Sequence, residues 1–157
     1  MSTPVQTIAQ RLHNLGIELP PASPPAAAYV MAAGIGSTVF LSGHIAKQHG
    51  KPWVGKLGLD MDTATGKQAA RAITIDLLAT LQEYAGSLDR IKRIVKVMGL
   101  VNSTPEFTEQ HLVINGCSEL LFEVFGEPGK HARSAFGVAQ IPLGSCVEIE
   151  LIAELHP

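Results

Sequence analysis

The chain has 157 residues, 46% of them hydrophobic and 17% charged, with a net charge of −2 and a pI near 6.3. This length suits one compact core, and the balance excludes a disordered chain and offers no general attraction to phosphate backbones. No apolar run approaches the roughly 20 residues that span a bilayer, and no apolar leader opens the chain, so it is read as soluble, cytoplasmic and without a signal peptide.

Ser2 or Thr3 as a cap, Pro4 in the first turn, Val5, Ile8, Leu12 and Leu15 at helical spacing, and Gly16 as a stop predict a short amphipathic helix. "LPPASPPAAA" follows, with four prolines in six residues, and is an extended connector. The organisation expected is a helical extension over 1–19, a Pro-rich connector over 20–28 and an α+β domain over 29–157. "YVMAAGIGSTVFLSGHIA" places two apolar runs around a Gly-x-Gly-Ser turn, which predicts a hairpin. "KPWVGKLG" reads as a further strand punctuated by glycines.

From Asp62 the period becomes helical. Ala70, Ile73, Leu77, Leu81 and Tyr84 share a face, and Gly86 ends the helix. "LDRIKRIVKVMGLVNS" alternates, with Ile91, Arg93, Val95, Val97 and Gly99 set against Arg90, Lys92, Ile94 and Lys96, as a strand with one partly wet face does. A second long helix is expected from Thr104 as cap and Pro105 in the first turn, with Phe107, Ile114, Cys117, Leu121 and Val124 inward. "HARSAFGVAQIPLGSCVEIELIAEL" closes the chain as two strands around an Ile-Pro-Leu-Gly turn. Two long helices on one face of a mixed sheet is the economical arrangement for this order. Ala32, Val39, Leu41 and Val138 supply apolar positions on both strand faces, which predicts an oligomer.

Generic motifs carry little. "AAGIGS" lacks the third glycine and the following helix of a dinucleotide fingerprint, so it is a hairpin turn. His44 and His49 have no acidic support for a metal, and none is expected. His111 is read as a boundary histidine, and Cys117 and Cys146 as buried free thiols. The sequon at Asn102 is a chance match, and the cluster Arg90, Lys92, Arg93 and Lys96 is interleaved with apolar residues, a weak signal for nucleic acid.

The charges on the last two strands stand apart. Arg133 shares a face with Ala135, Gly137 and Ala139, all small, which leaves room for a ligand. Val147, Ile149, Leu151 and Ala153 form the packed face of the final strand; Glu148 and Glu150 point away from it, toward solvent or toward a site. Glu150 and Glu154 are read as solvated or interface carboxylates.

"ARSAFGVAQIPLGSCVEIELIA" resembles the C-terminal signature of the RidA family, also called YjgF or L-PSP: an Arg-Ser strand, a Pro turn and a Glu-Ile-Glu strand. Tyr29, thirteen residues before the pair Ser42 and Gly43, and Asn115 on the second helix resemble the family's hairpin and helix positions. The resemblance implies a chorismate-mutase-like α+β fold with two long helices on one face of the sheet. It also implies a homotrimer with ligand clefts between subunits. For active members it implies cofactor-free hydrolysis of enamine or imine intermediates to 2-keto acids and ammonia. On that basis Arg133 holds a small carboxylate metabolite and Glu148 orients water, while Tyr29, Asn115, Gly43 and Ala135 line the site. Ala135 stands where the family usually has a cysteine, which excludes thiol chemistry there. The N-terminal extension and a longer second helix are further departures. The alternatives are a non-catalytic carboxylate-binding protein and, because some members are described so, a ribonuclease or translation inhibitor; no nucleic-acid or membrane partner is expected.

Overall fold

The computed structural model describes residues 5–157. Helix α1 (Ile8–Asn14) opens on Thr7, whose hydroxyl accepts from the Gln10 N–H while the Gln10 side chain accepts from the Thr7 N–H. This reciprocal capping box starts the helix later than the spacing suggested. The expected caps Ser2 and Thr3, with Pro4, lie outside the described residues, and Val5 is exposed rather than part of the stripe. Leu12 is buried, the Ile8 N–H donates to Asp89 Oδ1 (3.0 Å), and Arg11 Nη1 donates to the Val124 carbonyl (3.1 Å), so α1 is docked on the body.

The Pro-rich segment 20–28 holds no helix or strand, as expected. Strands β1 (Ala32–Ile35) and β2 (Thr38–Leu41) form the predicted hairpin across Gly36–Ser37, where Gly36 takes a positive φ of 59°. Short strands β3 (His44–Ile45), β4 (Lys47–Gln48) and β5 (Lys51–Pro52) follow. The strand expected over "KPWVGKLG" is reduced to Lys51–Pro52; beyond Pro52 only single bridges form, as at Val54 with Ser145.

Helix α2 (Thr63–Ala85) is capped by Asp62, whose side chain accepts from the Thr65 N–H (2.8 Å), and stops at Gly86. Ala70, Ile73, Leu77 and Leu81 are fully buried, whereas Tyr84 sits half-exposed at the rim. Helix α3 (Gln110–Phe125) begins six residues after Thr104. Thr104 closes a separate turn by accepting the Phe107 N–H (3.2 Å), and the Glu109 carbonyl accepts the first helical N–H groups instead. Contacts advance together along α2 and α3, with Thr63 bonded to Glu109, Lys67 paired with Glu119 (3.0 Å) and Arg71 with Glu123 (3.4 Å). The two helices therefore run in the same direction.

Strands β6 (Ile91–Asn102), β7 (Ala132–Val138) and β8 (Val147–Leu155) complete a mixed sheet ordered β1-β2-β8-β6-β7, with β3 pairing β8. The closing strands do not pair with each other. The helical crossover α3 returns β7 parallel to β6, and the turn at Ile141–Gly144 carries β8 to the opposite side of β6, antiparallel to it. Strand β6 also departs from simple alternation. Register shifts after Ile91 and after Ile94 bring Ile91, Ile94, Val97 and Val101 inward together, while Arg93 is exposed.

The helices and the inward strand residues enclose one core, including Val147, Ile149, Leu151 and Ala153 as expected. Of the apolar positions expected on both strand faces, Val39 and Leu41 are buried on this packed side and Ala32 packs against it. The opposite face carries Phe40, Met98, Leu100, Phe136 and Ile152, aligned across strands with Lys96 and Glu150. Phe40 and Phe136 remain 43% and 44% exposed there. Among the described residues, no helix is long and apolar enough to cross a membrane.

Candidate active site

The sequence-predicted residues fall into two groups on one chain. The first lines a cleft of about 400 Å³ between the connector, β3 and the start of β8, where Tyr29, Gly43 and Glu148 meet. Ser42 positions the tyrosine's segment: its hydroxyl donates to the Val30 carbonyl (2.6 Å) and its N–H to the Met31 carbonyl (2.9 Å). Glu148 lies against Gly43 so closely that a Cβ at position 43 would stand 2.8 Å from Glu148 Oε1. Glycine is thus what lets the carboxylate lie on the backbone. Glu148 is half-buried, and its carboxylate makes no ion pair or hydrogen bond among the described residues. Loss of solvent, and then the neighbouring Glu150, raise its pKa above the ordinary carboxylate value.

Three further ionisable groups line the same cleft and were not singled out for it from the sequence. His44 is buried, with Nδ1 2.7 Å from the Ser42 carbonyl and Nε2 2.8 Å from Thr80 Oγ1. A carbonyl only accepts, so Nδ1 carries the proton and the Thr80 hydroxyl donates to Nε2. Burial lowers the His44 pKa, which agrees with a neutral ring. Asp76, from α2, is raised chiefly by loss of solvent, and Lys47 donates to Ser23 Oγ of the connector (3.2 Å). The connector is therefore a wall of the cleft. No sequence signal pointed to Asp76, because only the packing of α2 beside β3 brings it there.

The second group surrounds Arg133 on the helix-bearing side of the sheet. Arg133 Nη1 donates to Asn115 Oδ1 (2.8 Å) and to Ser118 Oγ (3.2 Å), and Nη2 donates to the His111 carbonyl (3.1 Å). A guanidinium has five N–H donors. These three bonds leave two, one of them on Nε, uncommitted among the described residues. Ala135 follows on the same face, packed against the core. His111 takes part through its backbone carbonyl rather than its ring. Ser118 was missed, although His111, Asn115 and Ser118 recur at the spacing of one helix face.

Arg133 reaches toward α3 on one face, while Glu148 leaves β8 on the side away from Val147 and Ile149, and β6 runs between their strands. One chain thus brings Tyr29, Gly43 and Glu148 together, and separately Arg133, Asn115 and Ala135, without uniting the two groups.

A mixed sheet carrying three helices, with that topology, defines an α+β fold of the chorismate-mutase-like kind. The chain belongs to the YjgF/L-PSP family: residues 9–155 match the family described as "YjgF/chorismate mutase-like, putative endoribonuclease". It is 44% identical over 151 residues to Protein TCP17 of Trypanosoma cruzi, covering 95% of this chain and 94% of that protein. The crystal structure of Atu1372 from Agrobacterium tumefaciens is 42% identical, with a TM-score of 0.87 over 95% of this chain and 92% of that one. A Shewanella oneidensis structure described as a putative endoribonuclease is 34% identical, with a TM-score of 0.92 over 96% and 100% of the two chains.

Proposed function

We propose that the protein is a cofactor-independent hydrolase of small 2-imino acids, working as a homotrimer with its clefts between subunits. Arg133 and Asn115 of one subunit would face Tyr29, Gly43 and Glu148 of the next. The observation that carries this reading is the state of Arg133. Its protein partners hold the fork and spend three donors, and the two that remain match the two oxygens of a carboxylate. The apolar outward sheet face, with Phe40, Phe136 and Leu100, supports assembly, since a face of this kind is usually covered.

In the reaction, the Glu148 carboxylate accepts a proton from water as the water oxygen bonds to the imine carbon. The C=N π pair moves to nitrogen and takes that proton back from Glu148, which gives a 2-amino-2-hydroxy acid. Glu148 then accepts the hydroxyl proton and passes it to the amino nitrogen. The C–N bond breaks as the keto C=O forms, ammonia leaves, and Glu148 is again ionised. An imine carbon is already electrophilic, so acid–base assistance of about 10²–10⁴-fold by one placed group is a sufficient contribution. A raised pKa suits Glu148 to both halves of this exchange.

The test is to generate 2-iminopropionate in situ from serine and follow keto-acid release. Acceleration by the wild type and its loss in Arg133→Ala are expected. No acceleration over background, or full activity in Arg133→Ala, refutes the reading. A second reading, carboxylate binding without turnover, is favoured by Ala135 at the position of the family's cysteine; it predicts keto-acid binding with no imine consumed. Ribonuclease activity has less support here. In the basic cluster Lys92 and Arg93 are paired with Glu154 (3.0 and 2.6 Å), Lys96 donates to Ser134, and Arg90 donates to the Ala85 carbonyl.

A further inference from the structure

Ser118 and His131 form a chain of hydrogen bonds that ends on Arg133. His131 Nδ1 lies 2.7 Å from the Gly129 carbonyl, and its Nε2 lies 2.9 Å from Ser118 Oγ. A carbonyl oxygen only accepts, so Nδ1 carries the proton and the Nε2 lone pair faces Ser118. The Ser118 hydroxyl must then donate to His131, which turns its own lone pairs toward Arg133 Nη1 at 3.2 Å. Direction is fixed at each step: imidazole to carbonyl, hydroxyl to imidazole, guanidinium to hydroxyl. Gly129 is buried and packs so closely on α3 that a Cβ there would collide with the Leu121 carbonyl. The relay is therefore anchored at its far end on the same helix that supplies Asn115.

We infer that His131 and Ser118 are positioning residues for Arg133, holding Nη1 so that the Nε side of the guanidinium is presented to a carboxylate. The inference rests on the reading of Arg133 as the carboxylate-holding group. Without the histidine acceptor the Ser118 hydroxyl is free to rotate and turn its proton toward the guanidinium. Nη1 then keeps Asn115 alone, and with the His111 carbonyl on Nη2 as the remaining anchor the fork is held by two bonds instead of three. Burial depresses the His131 pKa, with Arg133 adding to the effect, so the ring stays in the neutral form that this polarity requires.

Two measurements test it on the full-length protein. Long-range proton–nitrogen correlation spectra report the His131 tautomer directly, and the Nδ1-protonated form is expected at pH 7.5. Calorimetric titration with pyruvate, a stable keto acid, then compares wild type with Ser118→Ala, Ser118→Thr, His131→Ala, the double variant and Arg133→Ala, each checked for native circular dichroism. Ser118→Ala and His131→Ala are each expected to weaken binding about 10-fold, the order of one hydrogen bond to a charged group. Ser118→Thr, which keeps the hydroxyl, restores affinity, and the double variant binds no worse than Ser118→Ala, because the two act through one chain. The opposite tautomer overturns the relay, as does wild-type affinity in Ser118→Ala when Arg133→Ala has lost binding. Loss of affinity in Ser118→Thr equal to that in Ser118→Ala, or additive losses in the double variant, also overturns it. If the wild type does not bind pyruvate, or Arg133→Ala binds as well as wild type, the carboxylate reading falls and takes this assignment with it.

Discussion

Gly116 lies on α3 where that helix crosses α2, between Asn115 and Cys117 and two residues before Ser118. Replacing it with alanine sets two effects against each other. Helix propensity favours alanine by about 1 kcal/mol in a helix interior. Against this, the new Cβ would collide with the Lys67 carbonyl oxygen, and would sit 3.0 Å from its carbon and 3.2 Å from the Arg71 nitrogen. All three are backbone atoms of α2 and cannot swing aside, so the helices must separate. Overpacking of this sort costs about 1–3 kcal/mol, and a rigid backbone obstacle belongs at the upper end. The net expectation is a loss of about 2 kcal/mol, a Tm drop of about 4–8 °C for a chain of this size. Thermal unfolding followed by circular dichroism, at one fixed protein concentration, measures it. Gly66→Ala on α2 is the internal comparison, since its Cβ meets only side-chain methyls, Leu57 Cδ1 at 2.9 Å and Val113 Cγ2 at 3.1 Å. Those can rotate, and the propensity gain offsets the crowding, so Gly66→Ala is expected within about 1 kcal/mol of wild type. A Gly116→Ala protein as stable as wild type, or a Gly66→Ala protein that loses more than it, refutes the packing argument.

Other outcomes follow from the same structure. Arg133→Lys keeps the charge and loses the planar fork, so pyruvate affinity should fall about 10-fold or more in calorimetry despite the conserved charge. Glu148→Gln should abolish imine hydrolysis while leaving the Tm at pH 7 equal or higher. The folded-state pKa of Glu148 is raised above 4.5, so the folded chain binds more proton than the unfolded one above that pH, and the ionised group costs stability there. For the same reason, wild-type turnover should fall on acidification with a midpoint above 4.5, and a midpoint at or below it counts against Glu148 as the base. Burial pushes both Cys117 and Cys146 thiols up to about 11, so neither should react with iodoacetamide in the native protein at pH 7.5, and both should on unfolding; mass spectrometry counts the adducts.

Much of this molecule was legible from the order of its residues. The long helix from Asp62 to Gly86, the hairpin over residues 32–41, and the inward set Val147, Ile149, Leu151 and Ala153 all follow from local periodicity and capping, which depend only on near neighbours in the chain. The charged positions Arg133 and Glu148 stood out because they interrupt apolar strands. The starts of α1 and α3 were misplaced, since both Thr-Pro and the later Thr7 and Glu109 are plausible openings and long-range docking chooses between them. In β6 the two register shifts lie in the pairing with β8, and no alternation rule applied to β6 alone contains them.

What the sequence determined by itself was the family, the class of fold and which charges were out of place. Only the tertiary structure decided that β6 separates the last two strands, and that Arg133 and Glu148 occupy opposite faces of the sheet of one chain. It alone brought Asp76 and Lys47 beside Glu148, and the His131–Ser118 pair onto Arg133. The reason is physical: periodicity records which face of an element is apolar, whereas the partners of a polar side chain are set by distances between elements remote in the chain.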